Sequence, residues 1–198
     1  MLSLSRAVLG FTALSTVALA APIQQRQSSD CVDGVTRIYT PDLFNIYYYN
    51  GVPEFPSTST VINVMNGSTS GSAQHQVARF ANLSVNAESC TFGWSQAADR
   101  SFSVYDNGLV RFSQLTGLPA GNVTASTIEP FQSEDAKGGS IDFTFWPESV
   151  GPEDHVGGSV DCGAEVVILL TKDMVSGGPG SVTMEQNQGN GLWLEHAC

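Results

Sequence analysis

The chain has 198 residues, which is enough for one domain with a sizeable apolar core. Its formal net charge is −11, and a surface this acidic disfavours nucleic acid and anionic membrane surfaces as partners. Only 14% of the residues are charged, so charge-rich amphipathic helices are hard to build, and the many neutral polar, β-branched and aromatic residues favour sheets.

The first twenty residues have the pattern of a secretory signal. Arg6 supplies the positive charge, and the apolar run that follows is too short to span a bilayer. Ala18-Leu-Ala20 is an A-x-A cleavage site, so we predict cleavage between Ala20 and Ala21. The alternative is an uncleaved anchor. We expect a secreted product without a membrane anchor, a flexible tail over residues 21–30, and a single domain over residues 31–198.

Strand-like segments follow one another from residue 35 onwards, each ended by turn residues. Asn-Gly follows β-like sequence four times, at positions 50, 66, 107 and 190. The clearest hairpin is predicted over residues 102–112, around Asp106-Asn-Gly108, while residues 116–140 and 147–159 read mostly as loops. No window of helical periodicity follows the leader. These features predict an antiparallel β-sandwich of roughly eight to ten strands.

The alternation of side chains along each predicted strand indicates which face of the sheet the large side chains occupy. Cys90, Phe92 and Trp94 are predicted to share one side of a strand, and residues 159–171 form the most apolar strand after the leader. Trp146 and Trp193 alternate with core-type neighbours, so both should point away from that core. We expect them to be buried rather than exposed as sugar-stacking platforms, since large aromatic side chains are mostly buried.

Four cysteines follow the leader, at Cys31, Cys90, Cys162 and Cys198. An even number in a secreted chain predicts two disulfides, and the absence of C-x-x-C or a nearby histidine pair argues against zinc. Three pairings are open. We favour Cys31–Cys198 with Cys90–Cys162, because the first and last strands of sandwiches are often neighbours.

Three N-x-S/T sequons, at Asn66, Asn82 and Asn122, are candidate glycosylation sites in a secreted chain. Asn66 and Asn122 fall in predicted loops and are favoured. Asn82 falls in strand-like sequence, which makes it the weaker candidate.

Little in the sequence points to catalysis. The histidines, His75, His155 and His196, accompany no G-x-S-x-G elbow and no H-E-x-x-H motif, so we assign no catalytic, metal-binding or cofactor-binding residue and expect no cofactor. The acidic run over residues 148–155 reads as a solvated loop, and it lacks the calcium-loop pattern. The alternative is a carbohydrate-active enzyme with a carboxylate pair drawn from a set of four acids: Asp142, Asp154, Asp161 and Glu165.

Several short motifs resemble the fungal C-terminal domain family named after But-two, a ubiquitin-pathway (Uba-three) binding protein. The matching residues are Val77-Ala-Arg-Phe80, Cys90-Thr-Phe92, Asp161-Cys-Gly-Ala164 and Gly191-Leu-Trp-Leu-Glu-His-Ala-Cys198. The resemblance implies a secreted or wall-associated fungal β-sandwich without known catalytic residues. The intracellular partner of the name-giving protein is not expected for a chain with this leader.

The function expected from these features is a secreted, non-enzymatic protein of the cell wall or extracellular space. Its expected partner is wall polysaccharide or an extracellular protein, and its oligomeric state is left open. A small secreted effector is the further alternative.

Overall fold

The computed structural model describes residues 34–48, 55–67, 72–99, 101–144 and 151–197. Within these ranges it contains thirteen strands, one four-residue α-helix and one 3₁₀ turn, and every strand pairing is antiparallel. The predicted all-β fold is therefore confirmed. The strand number exceeds our expectation because short strands, and one strand inside the predicted 147–159 loop, gave no clear sequence pattern. The strands are β1 (Val35–Ile38), β2 (Asp42–Tyr48), β3 (Ser57–Ser59), β4 (Val61–Asn66), β5 (Ala73–Ala81), β6 (Glu88–Gln96), β7 (Phe102–Tyr105), β8 (Leu109–Leu115), β9 (Gly138–Asp142), β10 (Glu153–Ser159), β11 (Glu165–Lys172), β12 (Gly180–Glu185) and β13 (Gly191–Ala197).

The smaller sheet has the strand order β1-β13-β6-β10. Its inner face carries Phe92 and Trp94 from β6 and Leu192 and Leu194 from β13, all of them in the main core. Cys90 lies in the same core, so the predicted shared side of Cys90, Phe92 and Trp94 is confirmed. The residues between them, Gly93 and Trp193, face outward, as strand geometry requires.

The larger sheet has the order β7-β12-β4-β5-β11-β8-β9, with β2 and β3 attached beside β5. β4 pairs with β5 only through Met65 and Asn66. Beyond that point the side-chain carboxamide of Gln76 fills the gap, since it accepts the N–H of Asn63 at 3.2 Å and donates to the carbonyl of Val61 at 2.9 Å. A buried glutamine thus continues the hydrogen bonding where the two strands diverge.

The connection from β7 to β8 shows that this sheet curls. The two strands are five positions apart, which is about 24 Å in a flat sheet. The four Cα steps from Tyr105 to Leu109 reach about 14 Å at most. The predicted hairpin over residues 102–112 is therefore wrong: β7 pairs with β12, and β8 pairs with β11 and β9. Asn107 redirects the chain by accepting the N–H of Leu109 and donating to the carbonyl of Gly178, each at 2.8 Å.

Strand β11 is buried on both faces, which explains its nearly continuous apolar sequence. Ile168 and Leu170 lie in the core between the sheets. Val167 and Leu169 lie in a second cluster on the outer face of the larger sheet. The segment between β8 and β9 covers that face and contributes Ile128 from helix α1 (Ala125–Ile128). The segment predicted as mostly loop thus supplies a cover for the larger sheet.

Candidate functional site

A groove lies where the chain passes from one sheet to the other. The β1–β2 connection carries the chain out of the smaller sheet, and β3 runs beside the start of β2, with Phe44 opposite Thr58. Between them lies a cavity of about 390 Å³, which we call the β1–β3 groove. Its size falls in the range of small-ligand pockets, roughly 300–1,000 Å³.

Rings and hydroxyls line the β1–β3 groove together. The rings belong to Tyr39, Pro41 and Phe44, all of them partly buried. Hydroxyl-bearing residues line the same groove, with Thr58 and Thr60 exposed to solvent. The groove therefore offers apolar surface and neutral hydrogen-bonding groups side by side.

Two hydrogen-bond arrangements hold the walls of the groove. The side-chain amide of Gln186 donates to the carbonyl of Tyr39 at 2.8 Å and to that of Leu192 at 2.9 Å, and its oxygen accepts the N–H of Leu192. The hydroxyl of Ser59 donates to the carbonyl of Val61 at 2.7 Å and accepts the N–H of the same residue at 3.0 Å. Both walls are thus fixed by bonds that need no ligand.

The carboxylate at the groove already has a cationic neighbour. Asp42 lies 3.6 Å from the guanidinium of Arg79, which also pairs with Glu165 at 2.8 Å. The three residues sit on adjacent strands β2, β5 and β11, so the ladder itself brings them together. The charge that the groove presents to a ligand is correspondingly small.

The four acids of the predicted carboxylate pair occupy different surroundings. Glu165 pairs with Arg79, and Asp142 accepts the N–H of Thr144 at 2.8 Å. The backbone of Asp161 is held by the side chain of Gln114, with both hydrogen bonds at 2.8 Å. Within the described ranges, no group of three or more histidine, cysteine, aspartate or glutamate side chains is arranged to hold a metal ion.

The fourth acid, Asp154, belongs to an ion cluster on the outer face of the smaller sheet. It pairs with Arg37 and accepts the hydroxyl of Ser95 at 2.5 Å. Burial alone would raise the pKa of Asp154, but the hydrogen bonds from Ser95 and Arg37 outweigh it and lower that pKa. Arg37 also pairs with Glu195 at 2.8 Å. The residues around Asp154, which we predicted to be an acidic loop, form strand β10. The carboxylate of Asp154 is held by Arg37 and Ser95.

The guanidinium of Arg37 covers the indole of Trp193, 4.2 Å from the ring centroid. Trp193 lies on the outer face, between the core residues Leu192 and Leu194, and is only 1% exposed. The prediction that it points away from the core and is nevertheless buried is therefore confirmed. A buried ring of this kind offers no surface for stacking on a sugar.

The three histidines lie in different environments. His75 packs against Tyr48 with 4.6 Å between ring centroids and a 50° tilt between the ring planes, and burial lowers the pKa of His75 to about 4. His155 lies in β10, not in a loop as predicted, and stacks on Trp94 at 4.2 Å. Burial lowers the pKa of His155, against the opposing effect of nearby carboxylates. His196 is fully buried in β13.

A buried lysine is the last residue of strand β11. Lys172 is 4% exposed and donates to the carbonyl of Asn107. Burial lowers the pKa of Lys172 to about 8, although the carboxylates of Asp142 and Asp173 oppose the shift. Asp173 in turn accepts the hydroxyl of Ser140 at 2.7 Å. These contacts hold the β7–β8 connection against β11, so Lys172 has a structural role.

The structure joins Cys90 and Cys162 in a disulfide with an S–S distance of 2.07 Å. This is one of the two pairs that we favoured. It links β6 of the smaller sheet to the connection that leads into β11 of the larger one. Cys31 and Cys198 lie outside the described residues, as do Ala20, Ala21 and Trp146, and predictions about them stay predictions.

The sequons differ from our expectation in two places. Asn66 is the last residue of β4 and is partly buried, because that strand continues far enough to pair Asn66 with Gly180. Asn82 follows the end of β5 with a φ of 63° and is exposed. The prediction of a loop for Asn66 and a strand for Asn82 is therefore wrong, while Asn122 lies in an exposed loop as expected.

Two further grooves differ in character from the β1–β3 groove. One, of about 430 Å³, lies beside Cys162 and is lined by the charged residues Asp135, Lys137, Asp161 and Glu165 among others. Another, of about 320 Å³, lies next to the exposed ring of Tyr105. No helix within the described ranges is long and apolar enough to span a membrane.

Sequence reasoning missed the β1–β3 groove because strand pairing creates it. Tyr39, Phe44 and Thr58 are spread over twenty positions, and each alone resembles ordinary strand sequence. The one available signal was the Pro41-Asp42 break between two β-like runs, which marks where the chain changes sheets.

Comparison with family models and with curated proteins gives no match. No protein-family model matches the chain, and no curated protein matches it at a significant level. The resemblance to the But-two C-terminal domain family accordingly stays a prediction carried by the quoted motifs.

Proposed function

We propose that this protein is a secreted, non-enzymatic β-sandwich that acts as a binding module at the cell wall or in the extracellular space. Wall polysaccharide or an extracellular protein is its proposed partner. Membership of the But-two C-terminal domain family is part of the same proposal, and two of the cysteines in the matching motifs, Cys90 and Cys162, form the disulfide described above.

The observation that carries the proposal is the Cys90–Cys162 disulfide. Disulfides of this kind form and persist in oxidising compartments, and the cytosol keeps thiols reduced. Cys90 is 1% exposed within the core, so its sulfur is shielded from exchange with external thiols. The signal-like leader and the exposed sequon asparagines Asn82 and Asn122 support the same location.

Two of the four candidate carboxylates favour binding over glycoside hydrolysis. A hydrolase needs one protonated and one ionised carboxyl group facing a shared cleft. Asp154 is engaged by Arg37 and Ser95, which keep it ionised, and Glu165 is engaged by Arg79. These two acids therefore serve the framework of the sheets.

Intact mass of the protein from its native secretory pathway tests the proposal. We expect a chain starting at Ala21, lighter by about 4 Da for two disulfides and heavier by N-linked glycans at one or more sequons. Peptide mapping without reduction should recover a Cys90–Cys162 peptide pair. Free thiols and unmodified sequons on a chain that keeps its leader would overturn the proposal and reopen an intracellular role.

A further inference from the structure

We propose that the β1–β3 groove is a binding site for a neutral polysaccharide, of the glucan, mannan or chitin type. The proposal deepens the extracellular binding role above and rests on it, because that location gives the groove access to such a ligand. The assignment rests on the accessible rings of the groove, on its hydroxyl groups and on its weak charge.

The rings provide the first part of the chemistry. Sugar rings present apolar C–H faces, and proteins bind them against flat apolar side chains. Tyr39, Pro41 and Phe44 line the β1–β3 groove and are only partly buried, so each keeps accessible surface. By contrast, the described tryptophans Trp94 and Trp193 are 1% exposed and cannot serve. The groove therefore holds accessible ring surface that the buried tryptophans do not offer.

The hydroxyl groups provide the second part. Thr40, Thr58 and Thr60 line the same groove and are exposed. A hydroxyl both donates and accepts, which matches the hydroxyls that a polysaccharide presents in either role. A site built from rings and hydroxyls orients a neutral polyol without requiring a charge on the ligand.

Charge selects against acidic ligands. The carboxylate of Asp42 is shared with Arg79, which is itself paired with Glu165, so no surplus cation faces the groove. The chain carries a net charge of −11, which repels anionic polymers at long range. A neutral polysaccharide needs no cationic partner in the groove, and the acidic chain does not repel it.

The walls of the groove are held before any ligand arrives. Gln186 fixes the backbone of Tyr39, and Ser59 fixes the turn into β4 through Val61. Binding then orders few protein groups, which lowers its entropic cost. This preorganisation distinguishes the groove from an open surface turn.

The test uses the secreted full chain in co-sedimentation with insoluble glucan, chitin and mannan, and with an anionic polysaccharide for comparison. Thr58→Arg fills the groove from an exposed position and leaves the core intact. Tyr39→Ala removes a ring, while Tyr39→Phe keeps it. Tyr105→Ala is the matched control, because it removes a 71% exposed tyrosine outside the groove.

We expect the wild type and Tyr105→Ala to bind at least one neutral polysaccharide equally, Tyr39→Phe to bind it more tightly than Tyr39→Ala, and Thr58→Arg and Tyr39→Ala to lose about tenfold or more in affinity. Circular dichroism melting of each variant establishes that it is folded. Unchanged binding by folded Thr58→Arg, binding to the anionic polymer alone, or no binding by the wild type would each overturn the assignment. The mass measurement above judges the extracellular role separately, so the two proposals fail independently.

Discussion

The two sheets protect their outer faces in different ways. The larger sheet covers the outer face of β11 with a separate stretch of chain, residues 116–137, which places Ile128 over Val167 and Leu169. The outer face of the smaller sheet is covered by side chains of its own strands, since Arg37 lies over Trp193. A chain segment thus covers the outer face of the larger sheet. The guanidinium of Arg37 with its carboxylate partners covers the outer face of the smaller sheet.

The difference explains two unlike sequence patterns. β11 needs apolar residues at consecutive positions because both of its faces are buried. β13 has only three consecutive apolar side chains, and its outward Trp193 is accommodated because Gly93 opposite it has no side chain. A continuous apolar strand thus indicates cover by another layer, whereas an isolated outward aromatic indicates cover by neighbouring side chains.

The largest effect should come from Gly93→Ala on the smaller sheet. A Cβ atom at this position would clash with the indole of Trp193 and with the backbone oxygen of His155. Because the second obstacle is backbone in the paired strand β10, simple side-chain movement cannot relieve it. We expect a loss of about 3 kcal/mol in the free energy of unfolding, measured by urea denaturation.

Gly121→Ala is the control for that substitution. A Cβ atom there would meet no atom within 4 Å. We expect its urea midpoint to match the wild type. Equal midpoints for Gly93→Ala and Gly121→Ala would contradict the packing of Trp193 across β6.

The next effect concerns His75 on the outer face of the larger sheet. Its pKa is lowered to about 4 by burial, while the unfolded chain takes up the proton near 6.5. The unfolded state therefore binds more protons between these values, and stability is lost as the pH falls from about 6.5 to about 4. His75→Phe should remove about 2 kcal/mol of that pH-dependent loss.

Denaturation at pH 7 and at pH 4 for both proteins measures the effect. Other groups titrate in the same window, so the comparison rests on the difference between His75→Phe and wild type. Phenylalanine keeps a ring for the tilted ring contact with Tyr48. Parallel pH profiles for the two proteins would show that His75 titrates normally.

The smallest effect should follow Arg37→Ala. The carboxylates of Asp154 and Glu195 are 50% and 35% exposed, so solvent screens both ion pairs. Most of the loss should come from uncovering Trp193, and we expect about 1 kcal/mol, with a red shift in tryptophan fluorescence. Arg37→Met keeps part of the apolar cover, so it should lose less. A strong salt dependence of wild-type stability that Arg37→Ala abolishes would instead assign the effect to charge.

The strands that the sequence predicts best are those with the strongest local pattern. β11 and β6 are apolar or alternating over their full length, and their burial follows from that. β10 was missed because Gly157, Gly158 and four polar residues give it no apolar alternation. Gly157 and Gly158 instead lie against the ring of Phe112, a contact between distant strands that no local pattern encodes.

The Asn-Gly at position 107 shows the same limit for turns. Its turn prediction is correct, but the hairpin inferred from it is wrong, because the two flanking strands pair elsewhere. Local residues specify that the chain turns. Partners from distant strands decide where it goes next.

The sequence by itself determined the β class, the alternation of β6 and β13, and the apolar run of β11, because these depend on residues next to one another in the chain. The tertiary structure alone decided the curl of the larger sheet and the exposure of Asn82 over Asn66. It also assembled the β1–β3 groove, whose walls come from the β1–β2 connection, β2, β3 with Thr60, and Gln186 after β12. Strand pairing brings such residues together across long sequence separations, and adjacent positions carry no record of it.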